Sequence, residues 1–524
     1  MELRYNTKDE ILAAHEELRR SFDSHITLDI EFRKHQLKQL SFLLKDNVDA
    51  LADAIRKDLG RCRFETVFAE IMVTTNSAVE AHQNVDSWAK NESRWAGAVW
   101  AFHSPTVRKE PKGTVLVIGA WNYPISVQIG PMISAIAAGN TAILKPSEVA
   151  AHFASLLADL WPKYMDPRMT RVINGGVEET GQLLDLRWEH ILYTGNGRVG
   201  KIVAEKAAQW LCPTTLELGG KSPVFVDESA DLKITAHRIL WAKSVNCGQT
   251  CIAPDYIICT PGVQSKLIKE FEIAYGEFWP NGPKSSPDYA RIVNERQFGR
   301  LNNILETTKG SIVIGGERDA SIKFMEPTIL KDTPRGDISM SDEIFGPILP
   351  IITVKDMDEG CSFVNSRDQP LALYVFGNKK VTEEIARKTR SGALVQGDLM
   401  LHFCVESLPF GGTGPSGYSS LHGKAGFDTF SHARATMNAP ASGILGWIVE
   451  KLMSPRYPPY TDGNLAKLSL LAGRKLPFKR PPQSYRGAPT GKMTRFFNST
   501  TVLILFLAFL YRLYGGQALA FLLR

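Results

Sequence analysis

The chain of 524 residues is long enough for about two to four domains. Hydrophobic residues make up 44% of it and charged residues 22%, ordinary globular proportions that exclude wholesale disorder, a collagen-like fibre and a multi-span membrane protein. The net charge of +6 belongs to one end: no Asp or Glu follows Asp462, the last 62 residues carry ten Lys and Arg, and residues 1–462 carry 51 basic against 55 acidic side chains. A basic body that would grip nucleic acid is absent, so no nucleic-acid partner is expected.

Residues 1–95 read as helical, with periodic runs such as Ile30 to Leu44 and Val48 to Leu59. GTVLVIGA (113–120) reads as a buried strand ending in small residues, a helix follows from Ile125 to Ala138, and TAILK (141–145) is a second strand. Pro146, with Ser147 or Glu148 as cap, opens the next helix. TRVIN (170–174) and HILYT (190–194) are further strands. A second alternating region starts near Pro223 with PVFV, a helix over 231–245 and then YIICT, and runs to about residue 400. Strands alternating with helices predict parallel βαβ units and an α/β fold.

Three stretches carry chemistry. Gly195-Asn196-Gly197-Arg198-Val199-Gly200 is a GxGxxG between a predicted strand and the helical run KIVAEKAAQW. In that context glycines let the backbone approach a pyrophosphate and the helix N-terminus attracts its charge; a plain strand–helix turn has the same sequence. The usual template then places a ribose-binding acid about 20 residues on, where Glu217 stands. Glu217 lies between leucines in LELGGK (216–221), and a carboxyl buried there has a raised pKa suited to a general base near neutral pH, whereas one exposed at a strand end does not. Asn246-Cys247-Gly248-Gln249-Thr250-Cys251 holds two thiols after a helix. A nucleophilic thiol needs partial exposure and a lowered pKa, which backbone dipoles and a nearby cation provide; a buried structural cysteine needs neither. No His or second Cys pair stands near enough for a metal site.

The seven cysteines are sparse, odd in number and form no CxxC, which fits a reducing compartment. Met1 to Glu10 has no apolar core of a secretory signal. At the other end, a Pro-, Gly- and Arg-rich stretch (Leu476 to Gly491) reads as a linker, and Val502 to Tyr511 is uninterruptedly apolar. Extended to Phe496 and Leu513, that segment approaches the roughly 20 residues of a bilayer span. It reads as a membrane tail anchor whose flanking Lys and Arg keep the body on the cytosolic side; Arg512 leaves an interfacial insertion open as well.

The motifs WNYP (121–124), KPSE (145–148), YTGNGRVG (193–200), LELGGKSP (216–223), NCGQTC (246–251), EIFGP (343–347) and PFGG (409–412), in this order over roughly residues 10–435, resemble the aldehyde dehydrogenase superfamily. CIAPDYIIC (251–259), HGKAGFDTFSH (422–432) and RYPPY (456–460) resemble its class 3 branch, which includes membrane-bound fatty aldehyde dehydrogenases with a hydrophobic C-terminal helix. The resemblance implies a Rossmann-type cofactor domain (1–95 and 113–218), an α/β catalytic domain (219–404), an oligomerisation arm (96–112 and 405–438), a basic linker (439–495) and a membrane anchor (496–524). It assigns the nucleophile to Cys251, leaving Cys247 a bystander, the general base to Glu217 and the oxyanion donor to Asn122. It places the adenosine ribose on Lys145 and Glu148, the phosphates along Gly195 and Gly200, and the nicotinamide ribose on Glu343 with Phe345 packed nearby. Glu217 then serves the catalytic centre rather than the ribose, contrary to the usual GxGxxG template. The implied reaction is oxidation of medium- to long-chain aldehydes to acids through a Cys251 thiohemiacetal and thioester. NAD is the cofactor, NADP being disfavoured by Glu148 but possible, and no metal takes part. The alternative is a small- or semialdehyde dehydrogenase whose tail serves only localisation. A homodimer is expected, on the endoplasmic reticulum first, with lipid droplet, peroxisome and mitochondrial outer membrane as other destinations.

Overall fold

The computed structural model describes residues 3–480. They form two units: one comprises the chain up to Lys90 together with Lys109–Ala433, the other Asn91–Arg108 together with the residues from Arg434 on. The first unit opens with four long helices, α1 (Lys8–Asp23), α2 (Ile30–Asp46), α3 (Val48–Leu59) and α4 (Val73–Trp88), with the short helix Arg63–Thr66 and a π-helical turn leading into α4. Thr7 and Glu10 cap α1 reciprocally: the Glu10 N–H donates to Thr7 Oγ1 at 3.3 Å and the Thr7 N–H to Glu10 Oε2 at 2.9 Å.

A six-stranded sheet follows; its parallel strands are β1 (Thr114–Ile118), β2 (Thr141–Lys145), β3 (Thr170–Val172), β4 (His190–Thr194) and β5 (Thr214–Glu217), and the short strand Gly417–Tyr418 adds to β5 antiparallel. The connecting helices are α5 (Ser126–Ala138), α6 (Ala151–Tyr164), α7 (Val177–Leu184) and α8 (Gly197–Ala208). In space the strands run β3-β2-β1-β4-β5, so the sheet changes its direction of growth between β1 and β4. Both faces are covered, which is why these strands read as continuous apolar runs. Side-chain alternation divides them: Leu116, Ile118, Ile143 and Ile191 enter one core with Leu18 of α1, while Val115, Val117, Leu144 and Leu192 enter another with Leu37 of α2 and Ile129 of α5.

The second sheet holds β6 (Pro223–Val226), β7 (Tyr256–Cys259), β8 (Ser311–Ile314), β9 (Thr328–Lys331), β10 (Ile348–Thr353), β11 (Ala372–Phe376) and β12 (Ala393–Gln396) in the order β8-β9-β10-β7-β6-β11-β12. Only β8 against β9 is antiparallel. Helix α9 (Leu232–Ser244) leads from β6 towards β7. In the second unit Glu92 pairs with Val107 and Ser93 with Thr106 in a small antiparallel sheet, and two helices follow, Gly443–Met453 and Asp462–Ala472.

Two expected helix starts change. Helix α6 begins at Ala151, not at Pro146, because the expected caps are engaged elsewhere: Ser147 Oγ accepts the Val149 N–H at 3.4 Å and Glu148 pairs with Lys145. The cap comes instead from Asp58 of α3, whose carboxylate accepts the N–H groups of His152 (3.0 Å) and Phe153 (2.9 Å). Helix α8 starts inside the GxGxxG, since Asn196 Oδ1 caps it by accepting the Val199 N–H at 3.0 Å. The stretch read as a linker over 439–495 carries the two helices just given. Residues 405–433, assigned to the arm, belong to the first unit. No helix among the described residues is long and apolar enough to cross a membrane, and the anchor expected over 496–524 lies outside them.

Candidate active site

In an open parallel sheet, ligands bind beyond the carboxyl ends of the strands where the strand order reverses. Here that point is β1/β4, and the loops leaving those two strands carry Asn122 and Gly195. The β1 loop turns at Gly119, where a Cβ would lie 2.2 Å from Gln128 Cγ. Asn122 is 3% exposed, and its Nδ2 donates to the Gln249 carbonyl at 3.2 Å, leaving a second N–H. Its own carbonyl accepts from Asn246 Nδ2 at 2.9 Å and from the guanidinium of Arg61.

Arg61 is fully buried, and each of its three guanidinium nitrogens has a partner. It pairs with the equally buried Glu70, donates to Asn246 Oδ1 at 3.1 Å, and lies 4.4 Å over the Tyr123 ring. Glu70 in turn accepts the N–H groups of Ile125 (2.7 Å) and Ser126 (3.1 Å) at the start of α5. A buried ion pair is tolerated only when its remaining hydrogen-bonding capacity is filled in this way.

Beyond α9, Asn246, Cys247 and Gly248 adopt successive left-handed conformations with φ of 51°, 55° and 68°. Two of the three carry side chains, so the turn is strained and must be held from outside. Asn246 does this with its N–H on Glu65 Oε2 (3.0 Å) and its amide on the Asn122 and Gln249 carbonyls. Gly248 must be glycine, because a Cβ there would come 2.4 Å from the Gly346 oxygen. The turn separates the two thiols. Cys247 is fully buried in a core with Phe298 and Leu301, its thiol donating to the Tyr289 hydroxyl at 3.3 Å. Cys251 is partly exposed and lines a cavity.

That cavity, of about 780 Å³, is walled largely by apolar side chains, among them Phe64, Phe68, Val73, Tyr123, Trp241 and Trp279. Its size and character suit an apolar small molecule. Glu217, the last residue of β5, opens onto the same cavity. Both its carboxylate oxygens are buried without a hydrogen-bond partner among the described residues, and burial raises its pKa well above the usual carboxylate range. The Cys251 thiol is pushed up to about 12 by burial, then by the carboxylates of Glu343 and Glu217, against the pull of the Cys251 and Ile252 N–H groups. The lowered thiol pKa expected from the sequence is therefore absent from the protein alone, because the sulfur is buried and has carboxylates rather than a cation beside it.

Lys145 and Glu148 form an ion pair of 2.6 Å just after β2. At Gly195 a Cβ would lie 2.2 Å from the Tyr193 hydroxyl, and at Gly200 3.0 Å from Leu218 Cδ2. Glu343 is half-buried and packs against Gly219, where a Cβ would lie 2.2 Å from its Oε2, and desolvation together with Asp255 pushes its carboxyl up to about 8. Phe345, at φ 47°, meets the Trp121 ring edge-on at 5.4 Å. A donor and an acceptor at the end of the second strand, a glycine just beyond the fourth and a helix N-terminus capped by Asn196 suit the hydroxyls and phosphates of a dinucleotide.

Arg61, Glu65 and Glu70 escape sequence reasoning. Their partners lie up to 185 residues away, and a uniform helical reading of 58–72 hides the π-helical turn Val67–Met72. Such turns interrupt helices at functional sites more often than elsewhere.

The aldehyde dehydrogenase family model matches residues 1–436. Aldehyde dehydrogenase family 3 member A2 of Mus musculus is 42% identical over 457 residues, 87% of this chain and 93% of its own. A Rattus norvegicus protein named aldehyde dehydrogenase, dimeric NADP-preferring, is 41% identical over 84% of this chain and 96% of its own. The substrate-bound structure of Staphylococcus aureus AldH superposes with a TM-score of 0.83 at 37% identity, covering 88% of this chain and 99% of that one. The chain belongs to the aldehyde dehydrogenase family and is an NAD(P)-dependent oxidoreductase. Within that family its similarity runs to the family 3 members.

Proposed function

We propose that this protein oxidises medium- to long-chain aldehydes to carboxylic acids with NAD, using Cys251 as nucleophile, Glu217 as general base and Asn122 in the oxyanion hole. The observation that carries the reading is the pairing of Cys251 and Glu217 on one deep, mostly apolar cavity. Bound NAD supplies a hydride acceptor and a cationic ring. Lys145 and Glu148 hold its adenosine ribose, Gly195 and Gly200 admit its phosphates, and Glu343 with Phe345 holds the nicotinamide ribose. The Cys251 thiolate adds to the aldehyde carbon, and the free Asn122 N–H with the Cys251 backbone N–H stabilises the oxyanion; one such donor contributes about 3–4 kcal/mol. Loss of hydride leaves a thioester on Cys251. Glu217 removes a proton from the water that attacks it, the acid departs and the thiol is restored.

The carboxylate of Glu148 opposes a 2′-phosphate and favours NAD over NADP. The similarity to a relative named dimeric supports a homodimer. Residues 496–524 act as a membrane anchor in this reading, holding the body on the cytosolic face of the endoplasmic reticulum or another membrane that receives C-terminal anchors, where apolar aldehydes partition. A profile of kcat/KM against chain length tests the substrate: a rise from short aldehydes to hexadecanal is expected, and a preference for short aldehydes overturns it in favour of a small-aldehyde enzyme. Carbonate extraction tests the anchor, with release of the full chain to the soluble fraction as the contrary result.

A further inference from the structure

We propose that Tyr5, in the segment ahead of α1, forms part of the adenosine end of the cofactor site. The segment is fixed rather than trailing: the Asn6 N–H donates to the Asn174 carbonyl at 2.8 Å, and the Asn174 N–H to Asn6 Oδ1 at 2.8 Å. These bonds hold Tyr5 on the loop that leaves β3. A Cβ on Gly176 would lie 3.3 Å from Tyr5 Cε2 and 3.5 Å from its hydroxyl, so the ring rests on that glycine. The same loop is closed by Glu179, whose Oε2 accepts the Gly176 N–H at 2.8 Å.

This loop neighbours the ion pair of Lys145 and Glu148, since β3 pairs directly with β2. Glu148 and Glu179 both raise the Tyr5 phenol, after burial itself, which puts the ring within the field of the ribose-binding carboxylate. Tyr5 is nevertheless 43% exposed. An aromatic ring anchored on one side and open on the other, beside a ribose site, offers the stacking surface a purine takes. The inference rests on the reading that Lys145 and Glu148 hold the adenosine ribose.

Calorimetric titration of the full chain, purified in detergent, with NAD and separately with adenosine monophosphate tests it. Tyr5→Ala is expected to raise both Kd values by roughly tenfold, and Tyr5→Phe, which keeps the ring, to stay within about threefold of the wild type. Adenosine monophosphate binding unchanged in Tyr5→Ala but weakened in Glu148→Gln would overturn the role of Tyr5 and leave the ribose site standing. Binding unchanged in both variants would remove the ribose site and the inference with it.

Discussion

The backbone N–H of Asn246 donates to the carboxylate of Glu65 at 3.0 Å, joining the short helix Arg63–Thr66 to the strained turn that leads to Cys251. Glu65 also faces the cavity. Burial pushes its carboxyl up to about 7, against the pull of Arg61 and the Asn246 N–H. A carboxyl whose folded pKa exceeds its unfolded one binds more protons in the folded state, so its contribution to stability falls as pH rises between the two values. Glu65→Gln cannot ionise. Its stability relative to the wild type should improve by on the order of 2–3 kcal/mol between pH 5 and pH 8, read from denaturant unfolding. A difference independent of pH would show that Glu65 does not titrate in that window.

The two thiols of the NCGQTC stretch should separate cleanly. Cys251→Ala is expected to abolish NADH formation from aldehydes. Cys247→Ala should keep it while losing about 1–2 kcal/mol of stability, because a fully buried side chain is cut back within a packed core. An inactive, stably folded Cys247→Ala variant would reverse the assignment.

Burial raises the pKa of Glu217 well above the usual carboxylate range. As a base it acts only when ionised, so the steady-state rate should climb as pH rises through that displaced ionisation. Glu217→Gln should lose that limb and accumulate acyl-enzyme, seen as a burst of NADH followed by a slow phase. A normal steady-state rate in the variant would exclude the role.

Arg61 and Glu70 depend on each other. Arg61→Met leaves the Glu70 carboxylate buried without its cation and should destabilise the protein by about 3–5 kcal/mol. Adding Glu70→Gln should recover part of the loss, a coupling measurable by a double-mutant cycle. Additive losses would show that the pair is not energetically linked.

Much of the frame is legible in the sequence because the parallel strands are buried on both faces and so spell unbroken apolar words such as TVLVI and TAILK. The start of α6 is not legible, since its cap, Asp58, lies on a different helix 94 residues earlier. Cys247 and Cys251 look alike locally; only the three left-handed residues, held by Glu65, Asn122 and Gln249, turn one inward and the other to the cavity. Lys145 and Glu148 come to notice only through the resemblance of KPSE to a family motif; in the fold they meet at 2.6 Å.

The cavity wall draws on several stretches of the chain. Cys251 and Glu217 sit at the roots of the two sheets, whereas Phe64, Phe68, Val73, Ser77 and Trp88 come from the helical stretch ahead of them. The proposed reacting groups and this part of the wall thus come from separate stretches of the chain. Exchanging Phe64, Phe68, Val73, Ser77 or Trp88 alters the room offered to a guest while leaving Glu65 and Glu70, on which the turn that presents the sulfur rests, in place, so a lineage of such enzymes can change its diet while its chemistry stays fixed.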